Sequence, residues 1–185
     1  MEKQNEHELG TIMKKADGLE VRFERIYNAS REVVWDAITN PEKLAIWFTD
    51  IEMDFVLGGK MVIRFRDADK TESFGKIIRL KKPELFEFSW EDELATWELF
   101  DVGPRRAGAK CRLVLTYSKL SEKYAFSGPA GWHVLLDQLE KMLNGSKEKY
   151  PFGGEETEAA RKMRAIYKEI VARKIPDLIK VSTND

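Results

Sequence analysis

Few side chains in this 185-residue sequence are of the types, and at the spacings, that catalysis requires. The two histidines are His7, in a polar N-terminal segment, and His133, which follows Trp132 in an apolar stretch. A catalytic histidine needs a nucleophile or an orienting carboxylate, and no Ser-His-Asp order with a nucleophile elbow is found. We therefore interpret His133 as a half-exposed helix residue, and we expect no catalytic residue.

Metal, disulfide and phosphate chemistry is not expected either. Cys111 is the only cysteine, which excludes an internal disulfide and any site built from several cysteines. It stands at a strand position and is interpreted as inert. The pair Gly58-Gly59 lacks the spacing and the following helix of a phosphate-binding loop, so it predicts a turn or a bulge. No metal and no cofactor are predicted.

Charge and hydropathy argue against two classes of partner. The chain has 31 Lys and Arg against 32 Asp and Glu, so no electrostatic excess attracts it to nucleic acid or to an anionic membrane. Its first ten residues carry no apolar signal region, and no run approaches the roughly 20 apolar residues that span a bilayer. We expect a cytoplasmic protein that binds neither nucleic acid nor membrane.

The aromatic side chains give the clearest functional signal. The sequence contains five Trp, ten Phe and five Tyr, more large rings than one sheet packed on one helix usually needs. Imperfectly packed rings leave apolar voids that a ligand can fill. The predicted ligand-binding residues are Trp35, Trp47, Phe65, Phe74, Phe88, Trp90, Trp97, Trp132 and Leu136. Arg64 and Glu98 are candidates for contact with the polar end of a ligand, although solvated outer positions suit them equally well.

A helix at residues 127–145 has to position these side chains. Large apolar residues recur there at i, i+3, i+4, i+7, i+10 and i+11 from Trp132, which predicts one wide buried face. Ser127 or Gly128 is the predicted N-cap, and Asn144-Gly145 predicts a left-handed end. The rest of the domain is expected to be organised around this helix.

The segments before this helix predict one antiparallel sheet. Residues 1–18 are polar and are interpreted as a loose arm, and the alternation in residues 19–29 predicts the first strand. Ser30 caps a short helix, and Asn40-Pro41 restarts a second one. About six more strands with period two follow, and the turns between them are short enough for hairpins, which predicts a meander. The predicted class is α+β, with the helices on one side of the sheet.

A second C-terminal helix is predicted in the extension that follows Gly145. Its apolar stripe consists of Ala159, Met163, Ile166 and Ile170, flanked by Tyr167 and Val171. Such a helix is marginal in water when isolated, so it must pack on something. We favour folding back on its own domain, as a monomer, over a homodimer, because the short preceding loop returns the chain and Tyr150 and Phe152 can anchor it. The predicted organisation is an arm at 1–18, a domain at 19–145 and a helical extension at 146–185.

Several segments in residues 19–145 carry a family resemblance: VRFERIYNASREVVWDAITNPEKLAIWF, the pair Gly58-Gly59 before a strand, FGKIIRLKKPELFEFSW, and the Gly131-Trp132 pair of the long helix. They resemble the C-terminal-type domain of activators of the heat shock protein 90 ATPase, in the START-like, polyketide cyclase-like, helix-grip superfamily. The resemblance implies a curved antiparallel sheet wrapped around a long C-terminal helix. It also implies that the space between them often holds an apolar ligand.

Three functional hypotheses follow from the residues and the resemblance together. The leading one is non-enzymatic binding of a small apolar or aromatic molecule between the sheet and the long helix. The second is a protein-interaction module that acts on a chaperone. The eukaryotic co-chaperones carry a large additional N-terminal domain, whereas about 18 residues precede the first strand here. The third is a cyclase-like enzyme that uses the same cavity.

Overall fold

A curved eight-stranded antiparallel sheet is the framework of the chain, of which the computed structural model describes residues 9–103 and 108–178. The strands are β1 (Thr11–Lys15), β2 (Gly18–Tyr27), β3 (Asp50–Met53), β4 (Lys60–Arg64), β5 (Glu72–Lys81), β6 (Leu85–Trp90), β7 (Glu93–Val102) and β8 (Lys110–Leu120). Their order in the sheet is β1-β2-β8-β7-β6-β5-β4-β3. Strands β3 to β8 form a meander, as predicted, and β2 pairs with β8. The predicted α+β, helix-grip architecture is confirmed.

In the described part of the chain, four α-helices accompany the sheet. They are α1 (Arg31–Thr39), α2 (Pro41–Trp47), α3 (Ser127–Leu143) and α4 (Glu158–Lys174). The Ser30 hydroxyl accepts a hydrogen bond from the Val33 N–H at 3.2 Å, and the Asn40 side chain accepts one from the Glu42 N–H at 3.0 Å. Both predicted caps are therefore confirmed. None of these helices is long and apolar enough to cross a membrane, as far as the described part of the chain is concerned.

The two ends of α3 differ in how well the sequence predicts them. The predicted N-cap at Ser127 or Gly128 is wrong, because a 3₁₀ turn at Glu122–Tyr124 leads into the helix and Phe126 already has helical dihedral angles. The C-terminal end is confirmed. Gly145 has φ +101° and its N–H donates to the Met142 carbonyl at 2.9 Å, in a left-handed cap.

The predicted N-terminal arm is wrong for the residues that the structure describes. Residues 1–8 lie outside the described residues, but Thr11–Lys15 form β1, which pairs with β2. Ile12 is the one buried residue of this strand, so the sequence shows no alternation there. The Gly10 N–H also donates to the Tyr167 hydroxyl at 2.7 Å, which attaches the segment to α4.

The core lies between the sheet and α3, and α4 packs against α3 and against Phe23 of β2. The predicted wide face of α3 is confirmed at four residues that are at most 3% exposed: Trp132, Leu135, Leu136 and Leu139. Helix α4 buries Met163, Tyr167, Ile170 and Val171, whereas Ala159 is exposed and Ile166 is half-buried. The predicted stripe is therefore rotated toward Tyr167, whose hydroxyl has buried partners. The extension folds back on its own domain, while the absence of a homodimer remains a prediction.

Candidate functional site

A cavity of about 900 Å³ lies between the sheet and the first half of α3. This volume is within the range of about 300–1,000 Å³ that is usual for small-molecule sites. Its apolar wall consists of Phe65, Trp90, Tyr117, Leu120, Trp132, Leu135 and Phe152. Its rim carries the charged residues Asp17, Glu91, Asp92, Glu93, Lys119 and Lys123. The site is thus an apolar chamber with a charged entrance.

The rings of the wall pack against one another at perpendicular or tilted angles. The Trp132 ring centroid lies 5.2 Å from that of Tyr117 and 5.9 Å from that of Trp90, with the two indoles perpendicular at 90°. Phe152 lies 5.9 Å from Trp90 and 5.1 Å from Phe65. Such geometries suit the charge distribution of aromatic rings and restrict their rotation. The wall is therefore largely preformed.

Two glycines in the first turns of α3 decide where the cavity lies. A Cβ atom on Gly128 would lie 2.9 Å from the Leu120 side chain, so the end of β8 packs directly against the backbone of the helix. A Cβ atom on Gly131 would meet nothing within 4 Å, and this residue lines the cavity. The missing side chain at Gly131 therefore leaves open space beside the wall.

Tyr117 and Glu93 form the polar pair of the cavity wall. The Tyr117 hydroxyl donates a hydrogen bond to Glu93 Oε2. Burial raises the pKa of Tyr117 far above its ordinary value, and the hydrogen bond to the Glu93 carboxylate raises this pKa further. Tyr117 is consequently a neutral phenol whose proton is directed at Glu93.

The rim contains two residues in a left-handed backbone conformation. Glu91, in the turn between β6 and β7, has φ +50°, and Lys119, near a register shift between β2 and β8, has φ +60°. Non-glycine residues adopt this conformation at an energetic cost, and such residues cluster at functional sites. Glu91 Oε1 accepts hydrogen bonds from Ser73 Oγ at 2.5 Å and from the Phe74 N–H at 2.8 Å. These donors lower the pKa of Glu91, so its carboxylate stays charged at the entrance.

Three of the nine predicted ligand-binding residues line the cavity: Phe65, Trp90 and Trp132. Sequence reasoning missed Tyr117, although it lies on the predicted apolar face of β8. It also missed Phe152 as a wall residue, because only the path of the loop after α3 brings it there. No sequence signal marks Glu93. Contact of any of these residues with a ligand remains a prediction.

Four other predicted residues belong to the packed core instead of the cavity. Trp47, Phe88 and Trp97 surround a space of only about 10 Å³, which is too small for an organic ligand. Trp35 lies elsewhere, with its ring centroid 6.4 Å from that of Phe86. These rings are at most 3% exposed, and we interpret them as core.

The last two predicted residues are also placed away from the cavity. Leu136 is fully buried, and its carbonyl accepts a hydrogen bond from the Tyr27 hydroxyl at 3.2 Å. Phe74 is 56% exposed, because the buried residues of β5 are its neighbours Ser73 and Ile77 on the other face. The sequence does not reveal this, since Ile78 is an apolar residue on the same outer face.

The polar strand residues Arg64 and Glu98 are not placed at the cavity either. Arg64 forms ion pairs with Glu52 and with Glu72, each at 2.9 Å, and all three side chains are solvent-accessible. Glu98 lies on β7 between the buried residues Trp97 and Leu99, so it belongs to the outer face. Both side chains occupy the solvated positions that the sequence left open.

The remaining chemistry-bearing residues are structural. Cys111 is fully buried, and burial raises the pKa of its thiol to about 11, which agrees with an inert strand residue. Among residues 9–103 and 108–178, no group of three or more His, Cys, Asp and Glu side chains could hold a metal ion. His133 is 2% exposed, so its predicted half-exposed position is wrong, because α4 covers it.

His133 belongs to a buried polar cluster beneath α4. Its Nδ1 lies 3.1 Å from the Tyr167 hydroxyl, which itself accepts from the Gly10 N–H. The hydroxyl proton is then available for Nδ1, which leaves Nε2 protonated and 3.7 Å from Asp137 Oδ2. His133 does not line the cavity, and the cluster joins α3, α4 and the N-terminal segment.

This cluster predicts a loss of stability in acid. Burial, and secondarily the positive charge of Arg25, lower the pKa of His133 from 6.5 to about 4. The unfolded chain therefore binds one more proton than the folded chain between these two values. Stability is fully present above pH 6.5 and falls as the pH falls to 4, by about 3 kcal/mol at roughly 1.4 kcal/mol per pKa unit. Urea unfolding across this range should give a smaller pH dependence for His133→Gln than for the wild type. Equal slopes would show that other groups cause the effect.

Comparison with known proteins places this architecture in a family. The family described as Activator of Hsp90 ATPase homolog 1-like protein matches residues 28–144, from the end of β2 to the end of α3. No curated protein matches the chain. The chain is similar to the crystal structure of CalU16 from Micromonospora echinospora, with 20% identity, a TM-score of 0.66, and coverage of 88% of this chain and 95% of that one.

Two further solved structures share the fold. A conserved protein of unknown function from Enterococcus faecalis, EF2215, is 16% identical with a TM-score of 0.68, over 89% of this chain and 91% of that one. DynU16, a protein in the dynemicin biosynthetic locus, is 21% identical with a TM-score of 0.60, over 74% of this chain and 51% of that one. At these identities the similarity shows the fold alone.

Proposed function

The chain belongs to the family of Activator of Hsp90 ATPase homolog 1-like proteins, and from that premise we propose that it binds a small apolar or aromatic molecule between its sheet and α3. The observation that carries the proposal is the cavity of about 900 Å³ with its wall of aromatic rings. By contrast, the rings of Trp47, Phe88 and Trp97 surround a space of only about 10 Å³. The open volume is therefore a local feature of this end of α3.

Apolar burial would supply most of the binding free energy. A bicyclic aromatic molecule that loses about 200 Å² of accessible surface gains about 5 kcal/mol, at roughly 25 cal/mol per Å². Costs of association reduce this value, and edge-to-face contacts with Trp90 and Trp132 offset part of the reduction. A net gain of about 4–5 kcal/mol corresponds to a Kd of roughly 0.2–1 mM, so we expect weak binding for a molecule of this size.

We propose binding without catalysis. Tyr117 does not ionise near neutral pH because of its raised pKa, and His133 lies outside the cavity. Neither of these two side chains is therefore suited to proton transfer in the cavity at neutral pH.

We also propose that the protein acts as a monomer in the cytoplasm. The apolar face of α4 is used against α3 of the same chain, so this helix does not need a partner subunit to cover it. The numbers of acidic and basic residues in the sequence are nearly equal, so its charge favours neither nucleic acid nor a membrane as a partner.

Replacement of Gly131 by leucine, whose side chain would occupy part of the cavity, is expected to weaken ligand binding at least tenfold without unfolding the protein. The Gly131→Leu side chain would enter open space, and replacing a helical glycine stabilises a helix by about 0.5–1 kcal/mol. Ligand-observed NMR with a set of apolar and aromatic molecules should detect binders of the wild type that lose at least tenfold in affinity with Gly131→Leu. The control is Gly131→Ala, which adds one methyl group and should retain most of the affinity.

Two results would contradict this proposal. Binders that are unaffected by Gly131→Leu would have to occupy another site. A screen without binders, combined with a defined complex between this chain and a heat shock protein 90 chaperone, would support the protein-interaction hypothesis instead.

A further inference from the structure

The carboxylate of Glu93 has an unusual environment for a half-buried acidic group. Glu93 begins β7 and lines the cavity, with Tyr117 as its hydrogen-bond donor. No lysine, arginine or histidine of the described residues forms an ion pair with it. Glu87, which is 6% exposed, is different: its carboxylate lies 2.5 Å from Arg79 Nη2 and also accepts from Thr96.

A partly buried carboxylate with one neutral donor is incompletely compensated. Removing an anion from water is costly unless hydrogen bonds or an opposite charge replace the hydration. A carboxylate has about four acceptor positions, and one is used by Tyr117. The remaining positions are available to donors that enter the cavity.

The rings next to Glu93 favour the same kind of guest. The Tyr117 ring centroid lies 6.5 Å from that of Trp90 and 5.2 Å from that of Trp132, and all three residues line the cavity. The faces of aromatic rings attract cations by about 0.5–2 kcal/mol, depending on desolvation. A carboxylate beside aromatic faces is therefore a suitable environment for an ammonium group.

The charges at the entrance are asymmetric in the same direction. Glu91, Asp92 and Glu93 are consecutive, and Glu91 stays charged because its pKa is lowered. Lys119 lies beside Glu93, because Leu94 pairs with Ser118 across β7 and β8, and Lys123 lies in the 3₁₀ turn that follows β8. With Asp17 included, the rim carries four carboxylates and two lysines, which leaves it negatively charged. This excess of negative charge attracts an organic cation and repels an organic anion.

We infer that this cavity selects organic amines, with the apolar or aromatic body against Trp90 and Trp132 and the ammonium group on Glu93. The inference rests on the ligand binding proposed above for the same cavity. It adds the chemical class of the ligand and the residue that determines specificity. Tyr117 is a positioning residue, because its hydrogen bond orients the Glu93 carboxylate.

Three probes of nearly equal size separate charge from apolar burial. They are 2-naphthylmethylamine, which is cationic at neutral pH, 2-naphthylmethanol, which is neutral, and 2-naphthylacetate, which is anionic. Titration of the whole chain, followed by tryptophan fluorescence and calorimetry, should show that the amine binds about tenfold or more tightly than the alcohol. The acetate should bind most weakly. Raising the pH above the pKa of the amine should reduce its affinity to that of the alcohol.

The variant Glu93→Gln tests the assigned residue, since glutamine keeps an acceptor for Tyr117 but loses the charge. The amine should lose about tenfold in affinity, and the alcohol should be unchanged. The matched control is Glu98→Gln, on the outer face of the same strand, which should leave both affinities unchanged. Urea unfolding of each variant establishes that it is folded.

The outcomes distinguish this inference from the proposal on which it rests. Equal affinities of amine and alcohol for the wild type, or an equal loss of both with Glu93→Gln, would overturn the selection of amines and leave apolar ligand binding intact. Tighter binding of the acetate would also overturn it, in favour of Lys119 and Lys123 as the residues that select the ligand. If none of the three probes binds, the proposed function fails together with this inference.

Discussion

Replacement of Trp132 by alanine is expected to lower the free energy of unfolding by about 3–5 kcal/mol, the range for truncation of a large buried aromatic side chain. Trp132 is 3% exposed and lies at the centre of the aromatic core. The centroids of four neighbouring rings, those of Phe48, Trp90, Trp97 and Tyr117, are within 5.9 Å of its own. The variant would leave these rings without a central partner, in a void continuous with the cavity.

Urea unfolding at neutral pH measures this loss directly. The control is Phe74→Ala, which truncates a ring that is 56% exposed on the outer face and should cost less than about 1 kcal/mol. A loss below about 1 kcal/mol for Trp132→Ala would contradict the central position of this ring. A similar loss of unfolding free energy in both variants would mean that the burial of a ring does not determine its contribution to stability.

The fold was largely predictable because burial follows the sequence period. In β8, the residues Cys111, Leu113, Leu115 and Tyr117 are at most 4% exposed, and their alternation is visible in the sequence. The same holds for the stripe of α3 that starts at Trp132. The caps at Ser30 and Asn40 are local interactions, so they too can be inferred without tertiary structure.

The predictions from the sequence fail in strands whose hydrophobic alternation is absent or ambiguous. Strand β1 has one buried side chain, Ile12, and is held by pairing with β2 and by the Gly10 hydrogen bond to Tyr167. Strand β5 has apolar residues on both faces, so the sequence assigned Phe74 to the wrong side. These errors arise because long-range partners, and not local periodicity, determine the outcome.

The candidate site was less predictable than the fold for a related reason. Aromatic residues occur throughout the core, and the sequence does not tell which rings pack closely and which leave space. The space arises where Gly131 has no side chain and where the loop after α3 brings Phe152 to Trp90. Glu93 and Tyr117 meet because of the register between β7 and β8, and the alternation in either strand does not reveal this register.

Helix α4 completes the domain, and its removal is expected to have a large effect. It buries four side chains against α3, among them Tyr167, whose hydroxyl lies 2.7 Å from the Gly10 nitrogen and 3.1 Å from His133 Nδ1. The centroid of the Tyr167 ring also lies 6.4 Å from that of the Phe23 ring. Without α4, His133 and Phe23 are uncovered and the Gly10 N–H loses its acceptor. Both apolar burial and hydrogen bonding are then lost at the same place.

Deletion of residues 154–185 should therefore lower the melting temperature by about 8–16 °C, since a loss of about 4 kcal/mol corresponds to roughly 2–4 °C per kcal/mol in a domain of this size. Light scattering should give a monomer before and after the deletion, because α4 covers its own domain.

Tyr167→Phe is the matched smaller change: it retains the ring, removes the hydroxyl, and should cost about 1–3 kcal/mol through the unsatisfied partners. A dimer that becomes a monomer on deletion would show that α4 is a subunit interface. An unchanged melting temperature would contradict the packing of α4 on α3, because buried apolar area on this scale cannot be lost without a measurable cost.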